Sequence, residues 1–279
     1  MSKARLKRVV EIKRCIFCGR DGLSREHIWP VWAHEFIRKP RGRITHNRKL
    51  WRRFSFHDPI TGGVRSKEHQ GDIISSRAKV VCKVHCNSGW MSRLETRVKP
   101  ILTPLMMGHQ FALSKYNQEI LATWIATKML VAEFLTAEGI FTSAIERSLV
   151  MGRRLPPDIT KIWLGHYLGS DATNMYFQHA AIAVNAPIGV IPIRPPDGAK
   201  RNIQSQTFII GKLFVQTVTT IDRHLELNVP PEFSPVLCQI WPYRQEFTWP
   251  PSFGMSDGFA RDITFGLESL NGRPLARGP

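Results

Sequence analysis

The chain has few acidic residues, few cysteines and no long apolar run, and each shortage removes a class of protein. Of its 279 residues, 22 are Asp or Glu against 39 Lys or Arg, a formal net charge of +17. An acidic, cation-buffering protein is thereby excluded. A polyanion is the simplest partner, nucleic acid ahead of an anionic membrane surface. Five cysteines in a chain of this length do not make a disulfide scaffold. The longest apolar region, Ile120 to Leu135, is interrupted by Thr123, Thr127, Lys128 and Glu133, so it is too short and too polar to span a bilayer. The opening MSKARLKRVVEIKR is basic and no signal-peptide apolar stretch follows it, which predicts a cytoplasmic protein with no membrane partner. No internal repeat or low-complexity tract is present. What remains, 43% hydrophobic and 22% charged residues, is ordinary for a globular protein with a core of useful size.

The charge is unevenly placed. Residues 1–100 carry 24 Lys and Arg against 8 Asp and Glu, whereas residues 101–279 carry 15 against 14. Much of the excess lies in RKPRGRITHNRKLWRR, which reads as an extended loop or hairpin. Its Arg38, Lys39, Arg41, Arg43, Arg48, Lys49, Arg52 and Arg53 form the candidate segment for tracking a nucleic-acid backbone. Such contacts give affinity without sequence specificity.

Four cysteines fall in two close pairs, Cys15-Ile-Phe-Cys18-Gly19 and, 63 residues on, Cys82-Lys-Val-His-Cys86. In a reducing compartment this spacing is a metal signal, because two chelating knuckles supply a tetrahedral zinc ion with little loop strain. The second pair leaves two choices for the fourth ligand. Thiolates dominate structural zinc sites, which favours Cys86, but Cys82 and His85 also have chelating spacing.

Around these pairs the pattern predicts strands through Val9–Ile12 and at Val80–Val81. A helix follows from Asn87, with Trp90, Met91, Leu94 and Val98 on its apolar face, ending before Pro100. The strongest helix is predicted at 117–136, capped by Asn117, with Leu121, Trp124, Ile125, Lys128, Val131, Ala132 and Leu135 on one side. A shorter one covers Ser143–Met151 and is closed by Pro156-Pro157. The period then changes: Ile159–Tyr167, Met175–Val184, Thr207–Thr219 and Val236–Trp241 read as antiparallel strands, with Cys238 a small buried hydrophobe. The tail after Asp257 is weakly patterned. The reading is an α+β protein with an N-terminal module at 1–105 and an α+β region at 106–279, its helices at about 117–151 and its strands at about 159–242.

The segments CIFCG, SREHIWP and VVCKVHCNSGWMSRLE resemble, in that order, the cysteine-bearing HNH endonucleases, over about residues 14–98. The resemblance implies a ββα-metal fold with a zinc staple and one catalytic divalent ion. It also implies roles: His27 as the general base, with Glu26 and Asn87 as protein ligands of that ion. Phosphodiester hydrolysis asks for such a set, namely a base near neutral pKa and a hard cation held by oxygen donors. The family's middle Asn has no counterpart at Arg77-Ala78-Lys79, and Asn47 is a weak substitute. The second knuckle has one extra residue, and the Val31–Lys79 insertion is long. The expected activity is an Mg²⁺- or Mn²⁺-dependent endonuclease acting on nucleic acid, DNA first, in a host-defence or mobile-element setting. The competing reading is a catalytically inactive, zinc-organised nucleic-acid-binding protein or nucleoprotein subunit, with residues 106–279 as a protein-docking region.

Overall fold

The structure, a computed structural model, describes residues 12–36, 45–47, 68–70, 77–135, 140–170, 175–182, 202–221, 229 and 233–269. The expected strand at Val9–Ile12 and all eight residues of the basic segment lie outside them, Ile12 excepted. The described chain is α+β, mixing helices with antiparallel sheet.

The front of the molecule is a pair of antiparallel strands, β1 (Leu23–His27) and β4 (Arg77–Cys82), running from Leu23 opposite Cys82 to His27 opposite Arg77 with a register shift between Ser24 and Arg25. Strands β2 (Thr45–Asn47) and β3 (Glu68–Gln70) form a separate pair within the insertion, and Asn47 belongs there. After β4 the chain enters a wide helical segment, Lys83–Met91, broken at Gly89, and continues as helix α1 (Ser92–Met107).

Helix α1 does not stop before Pro100; it carries Pro100 and Pro104 inside it and ends at Gly108 in the left-handed conformation. The expectation failed because the apolar stripe Leu94, Val98, Ile101, Leu102, Leu105 and Met106 continues and is buried. Its packing outweighs two lost backbone hydrogen bonds, and the freed carbonyls belong to the exposed Thr96 and Pro100. The 105/106 boundary thus falls inside a continuous helix.

Strand β5 (Phe111–Leu113) pairs with β11 (Phe247–Trp249), and helix α2 (Lys115–Ala132) follows. Its cap is Ser114, whose hydroxyl accepts from the Asn117 N–H, in place of the expected Asn117. From Ile120 to Ala132 this helix is buried on every side, the mark of a central core helix. Helix α3 (Ala144–Arg153) begins with a reciprocal Ser143–Glu146 capping box.

Strands β6 (Thr160–His166), β7 (Met175–Ile182), β8 (Ile203–Ile210), β9 (Leu213–Thr220) and β10 (Leu237–Trp241) form one antiparallel sheet in the order β10-β6-β9-β8-β7. The single strand expected at Thr207–Thr219 is a hairpin. Gly211 makes its two-residue turn at φ +58°, and a Cβ there would lie 2.5 Å from the Met106 carbonyl, so no other residue fits both conditions.

Alternation along these strands splits the core. Ile162, Leu164, Phe208, Ile210, Leu213 and Val215 pack with α1, α2 and the front of the molecule. Trp163, Ile209 and Phe214 face the opposite way, toward Met255 and Ala260. Ala260 lies on helix α4 (Asp257–Ser269), in the tail that sequence pattern left unassigned. The front of the molecule and the sheet share the larger core: Trp29, just past β1, meets Phe208 edge-on at 5.5 Å.

Candidate metal centre and neighbouring cleft

The first knuckle is a tight turn in which Gly19 at φ +71° donates its N–H to the Cys15 carbonyl, while Cys15 N–H reaches the Arg20 carbonyl. Ile16 N–H donates to the Val80 carbonyl, tying this turn to β4, which ends at Cys82. The wide helical segment after β4 accommodates the extra residue of the second knuckle: Cys86 turns inward and is fully buried, while His85 is exposed. The four sulfurs of Cys15, Cys18, Cys82 and Cys86 lie within 4.8 Å of one another. Two of the separations are 3.7 Å (Cys15–Cys86) and 3.4 Å (Cys18–Cys82). A zinc ion with Zn–S bonds of ~2.3 Å needs a sulfur tetrahedron with edges of about 3.8 Å. The four-thiol group could therefore hold a metal ion such as zinc with little movement, and His85 stands outside it, its ring nitrogen 3.7 Å from the Cys86 sulfur.

Proton sharing points the same way. The hydrogen bond with Cys86 lowers the Cys15 thiol to about 4 against the opposing effect of burial, and the same bond together with burial raises Cys86. Burial raises Cys18 as well. A cation at the centre would remove this competition for protons, since metal binding takes thiolates.

Beside the thiols is a cleft of about 320 Å³ whose lining includes Glu26, His27, Asn87, Glu95 and Lys99. It brings together the three residues to which the sequence assigned catalysis, two from the end of β1 and one from the wide helical segment. Burial, then the charge of Arg77, lowers the pKa of His27, so its imidazole is neutral at neutral pH. Asn87 is not the N-cap of a helix. Its amide nitrogen donates to the Ser24 hydroxyl at 2.9 Å, and Ser24 donates on to the Val81 carbonyl at 3.0 Å. That bond fixes the side chain against both strands and leaves the amide oxygen as the atom able to bind a cation.

Glu26 takes the inward side of β1, because neighbouring strand residues face opposite ways. It meets a residue that sequence reasoning had left on an apolar helix face: the Lys128 ammonium, on α2, donates to the Glu26 carboxylate at 2.6 Å, the His27 carbonyl at 3.0 Å and the Glu95 carboxylate at 3.2 Å. Lys128 and Glu26 are 4% and 7% exposed at their side chains. Burial alone would depress the lysine, but the two carboxylates outweigh it and its pKa lies above the ordinary value. Both missed residues had a signal. A lone lysine inside an apolar helix requires a buried counter-charge. Asn87, Met91, Glu95 and Lys99 follow at four-residue intervals, the spacing of a single helical face.

A larger cavity of about 490 Å³, lined in part by Trp163, Cys238 and Phe247, lies at the far sheet edge. Cys238 is half-buried there, and burial pushes its thiol up to about 11, so it offers no nucleophile at neutral pH. The His27 cleft is the site with chemistry.

No protein-family model, no curated protein and no solved structure matches the chain. Fold and site together define an α+β protein in which four clustered thiols stand beside a cleft containing histidine, asparagine and two glutamates. Among the described residues no helix is long and apolar enough to cross a membrane.

Proposed function

We propose that the protein is an HNH-type, metal-dependent endonuclease hydrolysing the phosphodiester backbone of nucleic acid, DNA first. One observation carries the reading: His27, Glu26 and Asn87, from two segments far apart in the chain, line one cleft. The antiparallel pair β1–β4 followed by the Lys83–Met91 helical segment and α1 is the ββα order such a module needs. Zinc at the four thiols would then staple the turn that leads into β1, the end of β4 and the helical segment carrying Asn87.

Each residue has a distinct task. Neutral His27 accepts the proton of the attacking water. Asn87 offers its amide oxygen to a divalent ion, and Glu26 offers the carboxylate oxygen that Lys128 does not hold. Glu95 adds a second carboxylate, so that the Lys128 ammonium is shared between two carboxylates. Such a set of oxygen donors fits Mg²⁺ or Mn²⁺, which when bound would supply charge neutralisation for the phosphoryl group. Lys99, whose ammonium sits 5.3 Å from the Trp32 ring centre at the same cleft, can attract a phosphate.

A second reading rests on Lys128 itself. Its ammonium already neutralises Glu26 at 2.6 Å, as it would in a zinc-organised nucleic-acid-binding protein or nucleoprotein subunit without catalysis. Incubation of plasmid DNA with Mg²⁺ or Mn²⁺ separates the two. Nicking by the wild type, reduced at least about 100-fold in His27→Ala, supports the enzyme; binding with no nicking by either protein supports the second reading and ends the first.

A further inference from the structure

We propose that the groove between α1, α2 and α3 is a second phosphate-binding site, holding the strand of nucleic acid that enters the His27 cleft. The groove has a volume of about 330 Å³, and its lining includes Arg93, Arg97, Arg153, Arg154, Tyr116 and Trp90. Its carboxylate, Glu119, is 4.0 Å from the Lys115 ammonium. Four guanidiniums therefore meet one partly neutralised acid. Arg153 is paired with Asp158 at 3.3 Å, but among the described residues Arg93, Arg97 and Arg154 form no ion pair.

Two of these arginines rest against uncharged aromatic groups. Arg97 donates to the Tyr116 hydroxyl at 3.1 Å and lies 5.6 Å from that ring's centre. Arg154 lies 4.4 Å from the centre of the buried Trp90 ring and is close enough to Arg93 for their charges to repel. The backbone of Arg154 sits at φ 58°, ψ 37°, as the cap of α3, a conformation that glycine adopts at lower cost. A guanidinium braced on an aromatic face, with like charge beside it, is an arrangement whose repulsion an anion offsets.

Position decides which anion. Ser92, Glu95, Thr96 and Lys99 of α1 line the His27 cleft, whereas Arg93, Leu94 and Arg97 of the same helix line the groove. The two hollows thus flank the exposed face of one helix, roughly 10 Å across. A nucleic-acid strand, with a phosphate every ~3.4 Å of axis, crosses that width in a few nucleotides. A small free anion would fill only one hollow.

The inference rests on the nucleic-acid partner of the proposed function, and its test separates the two. Binding of a short fluorescein-labelled DNA duplex to the full-length protein is followed by anisotropy across a salt series. Arg93→Gln and Arg97→Gln, both exposed, are compared with Arg244→Gln, an equal charge loss at the other cavity; Arg154→Gly, which relieves the backbone, serves as the further variant. The expected result is that each groove variant flattens the slope of log affinity against log salt by about 1, with affinity falling several-fold, while Arg244→Gln does neither. Groove variants indistinguishable from Arg244→Gln overturn the site, even if the wild type cuts DNA. Displacement of the duplex by inorganic phosphate beyond an equal ionic strength of sodium chloride also overturns it, by identifying a free-anion site. Weakened binding supports it, even in a protein that never cuts.

Discussion

The four-thiol cluster and the Glu26–Lys128–Glu95 network lie side by side, yet they are built in opposite ways. The thiols come in two short knuckles from one end of the molecule, and the charges they would carry call for a metal. The ion network draws β1, α1 and α2 together, and a lysine supplies its counter-charge from within the chain. The first is a local staple with an external cation, the second a long-range tie with an internal one. The contrast bears on architecture: through Lys128, a helix assigned by sequence to a separate C-terminal region holds two carboxylates of the candidate active site.

Removing the metal should produce the largest effect. If zinc occupies the cluster, elemental analysis should find it bound, and a chelator should unfold at least the β1–β4 region, because structural zinc contributes about 10 kcal/mol in small modules. Thermal melting followed by circular dichroism checks this; a protein without zinc and with an unchanged melt would leave the thiols as ordinary core.

Lys128→Met should come next, costing about 3–5 kcal/mol by stranding Glu26 without a partner. Adding Glu26→Gln to it should recover a good part of that loss in denaturant unfolding, since a network is non-additive. Full additivity would show that the ammonium and the carboxylate are energetically independent.

The pH dependence of any cleavage sharpens the comparison further. As a base His27 must be neutral, and burial and Arg77 hold its pKa below the ordinary 6.5; a divalent ion nearby pushes it the same way. The rate should therefore be level through neutral pH and fall only below pH 6.5. The same shift makes the folded chain bind fewer protons than the unfolded one between the lowered value and 6.5, so stability should rise with pH across that window. An acid limb at pH 7 or above would reject His27 as the base.

The smallest effect is expected at His85. As an exposed neighbour of the thiols and not a member, His85→Ala should change stability by less than about 0.5 kcal/mol and leave metal content unchanged. Loss of bound zinc in that variant would exchange its role with that of Cys86.

Much of the fold could be read directly. The helix starting near Ser143, the strand at Val80–Val81 and three of the five sheet strands (β6, β7 and β10) follow from helical periodicity and from β-branched alternation, which are local. The failures have non-local causes. Helix α1 runs through Pro100 and Pro104 because packing on α2 and the sheet outweighs proline's cost, and the Gly211 turn is shaped by the Met106 carbonyl against it. In the candidate site, the cysteine spacing and the Glu26-His27 and Cys86-Asn87 pairs were legible; Lys128 and Glu95 left a signal that does not name their partner, and the meeting of two arginines of α1 with two at the end of α3 left none.

Sequence alone determined the chemistry on offer, namely two cysteine pairs, an adjacent glutamate and histidine, and a strong basic excess, because residue identity and short spacing are local properties. Only the tertiary structure decided which thiol completes the cluster, which carboxylate faces a lysine, and which arginines share a groove. Those choices depend on segments distant in sequence being pressed together by one hydrophobic core, where an unpaired charge is too costly to leave alone.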